Sequence, residues 1–268
     1  MLSKYLSLAK ETATFTGNRI KENRNNLQIA GKQDSELVTS QDLWAEKTIK
    51  ERLGKKVSFL GEEEGFGSSS DCEPKENPNL LWVIDPIDGT HNYIVGLPHY
   101  AVSIALLENW KPVVGVVYIP ELNQIYYASK GGGAFKNGKR ISTNTVKELS
   151  EGVVATGFPY DKNTSSENNI DNFSKIVPKV RGIRRCGSAA IDTIYTASGV
   201  FSAFWELKLK AWDIAAGMLI AIEAGAIATT TGGQEVDLEN YRRIDFAVSA
   251  TKELHQKLLD QLNNGGER

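Results

Sequence analysis

The stretch that most constrains this chain is Leu80-Leu81-Trp82-Val83-Ile84, an unbroken apolar run with Asp85 directly behind it and Asp88 three residues further on. A short, continuous run of bulky and β-branched residues reads as a strand covered on both faces. Such a strand needs a layer on either side, so the chain is expected to fold as an α/β protein with helices against sheets. The acids fall at the strand's C-terminal end, the edge where open α/β sheets bind ligands. A second short strand, Val57-Ser58-Phe59-Leu60, runs in the same way into Gly61-Glu62-Glu63-Glu64-Gly65. Carboxylates gathered at one edge repel one another and lose hydration, at a cost of several kcal/mol per buried ion. Mg²⁺, which prefers oxygen ligands, is the natural compensation. Asp-Pro-Ile-Asp-Gly is equally good turn chemistry, and Glu62–Glu64 is equally a solvated acidic face. The residue types alone leave both pairs of readings open.

Around this centre, helical and strand patterns alternate. Leu2, Tyr5, Leu6, Ala9, Ala13 and Ile20 follow helical spacing, and Leu37-Val38-Thr39 leads into a second helix from Gln41 to Leu53, ended by Gly54. Thr39 with Asp42 three residues on resembles a capping box. Strands are expected at Tyr100–Glu108, Val113–Ile119 and Gln124–Ala128, with Asn137-Gly138 as a two-residue hairpin turn. Gly67–Asn79 reads as a surface loop. Gly131-Gly132-Gly133 reads as a strand connection, because no helix opening with Lys-Ser/Thr follows it. Further on, Asp161–Asn172 reads as a loop or loosely held insertion, Ser188–Ser198 as a helix closed by Gly199, and Val200–Trp205 as a strand. A last patterned helix, Ile214–Ala224, places Ala215, Met218, Leu219 and Ile222 on one face. Asp213 stands at its apparent start, as an N-cap or as a ligand. The change of rhythm near Ser150 divides two lobes of one compact unit.

Composition weighs against several classes. The 268 residues are 41% hydrophobic and 24% charged, an ordinary globular balance. A net charge of −2 supplies no basic field for nucleic acid or anionic lipid, so neither is expected as a partner. No run of about 18 apolar residues suggests a membrane span, and the opening segment lacks the apolar core and cleavage site of a signal peptide. Cys72 and Cys186 stand far apart without ligand spacing, which fits a reduced cytoplasm. His91, His99 and His255 lack the spacing of a zinc site. Lys179, Arg181, Arg184 and Arg185 form a basic cluster, either a solvated face or an attractor for an anionic ligand.

Taken together, Leu37-Val-Thr-Ser-Gln-Asp42, Gly61-Glu62-Glu63, Trp82 to Thr90, Arg185-Cys-Gly-Ser-Ala-Ala190 and Trp212-Asp-Ile-Ala-Ala-Gly217 resemble the inositol monophosphatase family of lithium-sensitive, Mg²⁺-dependent sugar phosphatases. The resemblance implies the sugar-phosphatase fold of alternating helix and sheet layers with two closely packed lobes. Residues 1–148 would form an N-terminal α+β lobe carrying most metal ligands. Residues 149–268 would form a C-terminal α/β lobe carrying the substrate-pocket segment and the last metal-binding aspartate. Two to three Mg²⁺ ions per site are implied. Glu62, Asp85 and the carbonyl of Ile87 would hold one ion, and Asp85, Asp88 and Asp213 another, with Glu63 behind them. Thr90 and Asp42, with Glu62, match the group that positions the attacking water. Gly89 and Thr90 match the phosphate-binding helix start. Asp88, Gly187, Ser188, Ala189 and Glu206 match substrate contacts, Glu206 standing seven residues before Asp213 as in the family.

The implied activity is hydrolysis of a small phosphate monoester by metal-activated water, inositol-1-phosphate foremost. Fructose 1,6-bisphosphate, histidinol phosphate, 3′-phosphoadenosine 5′-phosphate and NADP are the alternative substrates, and regulatory binding to the transcription machinery is the alternative outside catalysis. A cytoplasmic homodimer is implied as well. The chain departs from the family at Ser202, where many members carry Asp, at Ala226, which replaces a second glycine, and at Val95, where histidine is common. None of these removes a metal ligand, although Ser202 bears on substrate preference and subunit contacts. No Cys-x₅-Arg loop for cysteine-based phosphatase chemistry is present.

Overall fold

The apolar run becomes a strand buried along its whole length, Leu80–Asp88. The computed structural model describes residues 2–26, 28–33, 36–54, 56–66 and 79–263. Cys72 and all but the last residue of the expected Gly67–Asn79 loop lie outside them. In chain order the first elements are α1 (Leu2–Asn23), β1 (Ile29–Gln33), β2 (Glu36–Thr39), α2 (Ser40–Leu53), β3 (Ser58–Gly61), β4 (Gly65–Phe66), β5 (Leu80–Asp88) and α3 (Thr90–Val95). A run of strands follows: β6 (Ala101–Glu108), β7 (Lys111–Ile119), β8 (Gln124–Ser129), β9 (Gly133–Lys136) and β10 (Lys139–Arg140). The chain then forms β11 (Val153–Thr156), α4 (Ile170–Ile176), β12 (Gly182–Arg184), α5 (Ala189–Ala197) and β13 (Ala203–Leu209). It ends with α6 (Ala211–Glu223), β14 (Ile227–Thr230), β15 (Ile244–Ser249) and α7 (Lys252–Asn263).

Two mixed sheets organise these elements. The larger has the order β10-β9-β8-β7-β6-β5-β3-β4, with β3 and β5 parallel and its other neighbours antiparallel. The smaller has the order β12-β11-β13-β15-β14. β5 explains the layering, because its two faces join different cores. Trp82 and Ile84 pack with Ala9, Ala13 and Ile20 of α1 and with Ala45 and Ile49 of α2. Leu81 and Val83 share a core with α5, α6 and Phe204, Phe246 and Val248 of the smaller sheet. The far face of that sheet, through Val154, Ala203, Trp205 and Ala247, covers Ile176 of α4 and Leu254 and Leu258 of α7. The result is helix, sheet, helix, sheet, helix. Full burial of each large apolar side chain contributes ~1.5–3 kcal/mol, so the double-sided strand is a main source of cohesion.

α6 lies against the larger sheet at backbone contact. A Cβ on Gly115 of β7 would stand 2.6 Å from the carbonyl oxygen of Ala216, so a side chain there would push helix and sheet apart. The expected Asn137-Gly138 turn joins β9 to β10 with both residues at positive φ, 48° and 81°, the twist that two-residue hairpins need. Among the described residues no helix is long and apolar enough to cross a membrane.

The structure corrects several expectations. The hairpin β1–β2 was not expected. The strand placed at Val200–Trp205 begins at Ala203 instead, because Val200 and Phe201 donate their N–H groups back to Tyr195 at the end of α5. α6 begins at Ala211, three residues early, which makes Asp213 its third residue rather than its N-cap. Its single apolar face is also wrong. Residues 214 to 221 are buried all round between the sheets, while Ile222 is 47% exposed. Asp161–Asn172 is not loosely held throughout. Asn169 is buried, donating to Thr156 Oγ1 and Gly157 O and accepting from Trp205 Nε1, and α4 starts beside it.

Candidate active site

The two acids behind the apolar run are brought to one side by a bulge. In a regular strand, residues three apart point to opposite faces. On β5, Asp85 pairs with Ser103 and Asp88 with Ala101, so one extra residue is inserted between them. Asp85 Oδ1 accepts the N–H of Ile87 at 3.0 Å, which closes the bulge, and Pro86 stands where no ladder hydrogen bond is needed. Gly89 follows at φ 93°, a left-handed residue that turns the chain into α3. A Cβ at Gly89 would approach the carbonyl oxygen of His99 to 2.9 Å. The first residue of α3, Thr90, sets its hydroxyl 3.1 Å from Asp42 Oδ1 and 2.9 Å from the carbonyl of Ile87. Asp42 is fully buried, and its other oxygen accepts the backbone N–H of Thr39 at 2.8 Å, one half of the capping box at the start of α2. The capping role and the contact with Thr90 therefore coexist on one carboxylate.

Glu62 sits in the turn joining β3 to β4. That turn is held from α2 by Glu46, a residue the sequence reading missed. The buried Glu46 carboxylate accepts the N–H groups of Glu63 (2.9 Å) and Glu64 (3.1 Å), and Lys50 Nζ bridges Glu46 (2.6 Å) and Glu64 (2.8 Å). Gly61 makes room for this, since a Cβ there would meet the Glu46 carboxylate at 2.4–2.6 Å. The opposite wall comes from the second sheet and its helices. Ser188, the N-cap of α5, donates from Oγ to Asp88 Oδ2 at 2.6 Å, and Ala190 N–H reaches the same oxygen at 2.7 Å. Asp213 Oδ2 accepts the N–H of Lys210 at 2.7 Å, and the carbonyl of neighbouring Trp212 accepts from Ser103 Oγ at 3.3 Å.

One cleft of about 320 Å³ is lined by Glu62, Asp85, Ile87, Asp88, Gly89, Thr90, Gly187, Ser188, Ala189, Glu206 and Asp213. Of the expected site residues, only Asp42 and Glu63 do not line it; Asp42 lies beneath Thr90, and Glu63 is held by its backbone to Glu46. Of the basic cluster, Arg185 alone reaches the cleft, where it is joined by Lys208, Lys210, Arg242 and Arg243. Phe158, Tyr160 and Asp161 also line it, and no sequence pattern pointed to them. Lys208 is paired with Asp161 at 2.7 Å and Arg243 with Glu167 at 2.6 Å. Ser202 is buried away from the cleft with its hydroxyl accepting from Asn144, so it makes no direct contact with anything bound there.

The electrostatics fit an acid cluster without its counter-charge. Burial, then Glu62, Asp88 and Asp213 in turn, hold the Asp85 carboxyl well above its ordinary range. Burial raises Asp88 to about 6 against the opposing hydrogen bonds from Ser188, Ala190 and Ala189. Glu206 keeps some exposure to the cleft, yet the protein packed round its carboxyl pushes it up to about 8, with Asp192 adding to the effect. The donor set is oxygen only, and Glu62, Asp88 and Asp213 raise Asp85, which suits a hard divalent cation. Among the described residues no three acids, imidazoles or thiols are drawn together tightly enough to hold a metal ion. The chemistry of the donor set fits such an ion, although the acids do not stand close enough together to enclose one. Burial and then Asp192 push the Cys186 thiol far up, away from the reactive thiolate.

A layered α/β protein whose two sheets frame one acid-lined cleft, with a threonine hydroxyl set on a buried aspartate, falls in the class of sugar-phosphatase-like folds. The model of the inositol monophosphatase family matches residues 1–267, and the chain belongs to that family. It is 35% identical over 241 residues to the inositol-1-monophosphatase of Caulobacter vibrioides, covering 88% of this chain and 91% of that protein. It is 38% identical over 236 residues to the Nus factor SuhB of Vibrio cholerae, covering 85% of each. Its fold matches the structure of inositol monophosphatase from Anabaena (Nostoc) with a TM-score of 0.85 at 30% identity, over 97% of this chain and 96% of that one.

Proposed function

We propose that this chain is a Mg²⁺-dependent phosphatase that hydrolyses a small sugar-type phosphate monoester, inositol-1-phosphate foremost. The observation that carries the reading is the meeting in one cleft of Asp85 and Asp88 from the larger sheet with Asp213 from α6, beside the Asp42–Thr90 hydrogen bond. Phosphate monoesters are among the slowest bonds to hydrolyse, so strong transition-state stabilisation is required. Glu62, Asp85, the carbonyl of Ile87, Asp88 and Asp213 would hold the cations, which supply charge neutralisation and acidify water when bound. The chain's own residues do the rest. Asp42 takes the Thr90 hydroxyl proton into a hydrogen bond and so turns the oxygen's lone pairs towards the cleft, ready to accept from a water. The α3 start at Gly89 and Thr90 and the Ser188 end of α5 bracket the phosphoryl group. Glu206, on the far wall, receives a substrate hydroxyl.

A phosphate-release panel with Mg²⁺ tests this. Turnover of inositol-1-phosphate, lost in Asp88→Asn, is expected; no turnover of any monoester would overturn the reading. Two second readings have specific support. Arg185, Arg242 and Arg243 along the cleft favour a substrate with a further anionic group, such as fructose 1,6-bisphosphate, in the same panel. The similarity to a Nus factor supports regulatory binding, for which Asp88→Asn would leave the cellular phenotype unchanged. The family resemblance also supports a homodimer, and sedimentation as a monomer would remove that part.

A further inference from the structure

Outside the hydrogen-bonded parts of the cleft, four aromatic rings join the two walls. Phe66, at the end of β4, stands edge-on to Trp110 at 5.9 Å and 76° and to Tyr241 at 5.1 Å and 86°. Tyr241 in turn lies 6.4 Å from Trp212, the residue before Asp213, and its carbonyl accepts the N–H of Ala211 at the start of α6. Phe66 is 46% exposed, so burial of its surface does little to explain its place. Trp110 supports the same reading. It occupies the turn between β6 and β7 at φ 62°, where a bulky residue is strained and a glycine would be at ease. Its ring packs against the core between the sheets, so the turn keeps the tryptophan in that conformation.

β4 is only two residues long, pairing Phe66 with Leu60 and Gly65 with Gly61. Glu46 fixes the backbone of the Glu62 turn to α2, which lies on the other side of the larger sheet from α6. The rings make the connection that this hub does not. We infer that Phe66 is a positioning residue, which holds the Glu62 turn to the Trp212–Asp213 start of α6 through Tyr241, with Trp110 backing it on its own sheet, and so lowers the cost of closing the acids on a divalent cation. The edge-to-face pair of Phe66 with Tyr241, beyond its buried area, sets the scale at up to about tenfold in cation affinity. The inference rests on the reading of Glu62 and Asp213 as cation ligands.

Calorimetric titration of the metal-free full chain with Mg²⁺ tests it. Phe66→Ala is expected to bind up to about tenfold more weakly, and Phe66→Tyr, which keeps the ring, to regain wild-type affinity. In phosphate release, the Mg²⁺ concentration for half-maximal rate rises in Phe66→Ala while kcat at saturating Mg²⁺ holds. If the alanine variant fails to fold, Phe66→Leu keeps apolar bulk without the ring pairing and carries the same expectation. A wild type that binds Mg²⁺ with Phe66→Ala, or Phe66→Leu in its place, matching it within about twofold overturns the positioning role alone. A wild type that binds no Mg²⁺ overturns the cation reading itself, and this inference with it.

Discussion

Asp192 is an acid held where an acid is costly. It lies buried on α5, takes hydrogen bonds from the Cys186 N–H and thiol, and leaves Oδ1 without a hydrogen-bond partner. Burial raises its carboxyl to about 8 from an ordinary 3.8. The folded protein therefore keeps a proton that the unfolded chain releases between those values. This group's contribution to the stability of the metal-free protein then falls as pH rises through that window, by at most ~1.4 kcal/mol per pH unit. Glu206, raised to about 8, acts with the same sign. Urea unfolding across the window should show this fall, and Asp192→Asn should flatten it; a wild type growing more stable towards pH 8 contradicts the assignment. Thr90 poses a separate test at the same scale. Its hydroxyl and Asp42 act as one unit, so Thr90→Ala and Asp42→Asn should each lower kcat by ~10²-fold or more. The double variant should lose little beyond either single one.

At the scale of elements, the contact between α6 and β7 decides where Asp213 stands. Gly115→Ala would drive a methyl into the Ala216 carbonyl and should cost ~1–3 kcal/mol in urea unfolding. Because α6 carries Asp213, Mg²⁺ affinity should weaken with it; unchanged stability would mean that helix and sheet are not in fixed contact. The elements that sequence patterns announced share a physical trait. β5, β6, β7 and β8 are long strands with dense apolar pattern, and Thr39 and Asp42 announce α2 through a local cap. The elements that were misplaced depend on distant partners. β13 starts late because of bonds back to Tyr195. α6 shows no single apolar face because both sheets cover it, and a helix buried all round has no amphipathic period to read. The site divides in the same way. The acids behind β3 and β5 stand out as charge at the ends of apolar runs. Glu46 and Phe66 look like an ordinary helix-surface acid and a stray aromatic until the turn they hold is in view.

At the scale of the whole molecule, the cleft takes Glu62, Asp85 and Asp88 from one sheet and Asp213 from the helix layer between the two. Burial, and then the charges of Glu62, Asp88 and Asp213, hold the Asp85 carboxyl well above its ordinary range, so gathering these acids without a counter-charge is costly. With a cation bound, as proposed, the same residues would draw the layers together. A ligand that binds only the folded chain stabilises it by RT ln(1 + [L]/Kd), which is ~2.7 kcal/mol at about 100 times Kd. Mg²⁺ should therefore raise the thermal midpoint steadily with concentration. Asp213→Asn distinguishes a bridge from a one-sided site. It leaves Glu62, Asp85 and Asp88 in place and removes both a charge that raises Asp85 and part of the cap on α6, so its metal-free midpoint should stay close to that of the wild type. If the ion joins the layers, most of the Mg²⁺-dependent rise in midpoint should vanish in this variant. Retention of the full rise would place the stabilising ion on the larger sheet alone and remove α6 from its coordination.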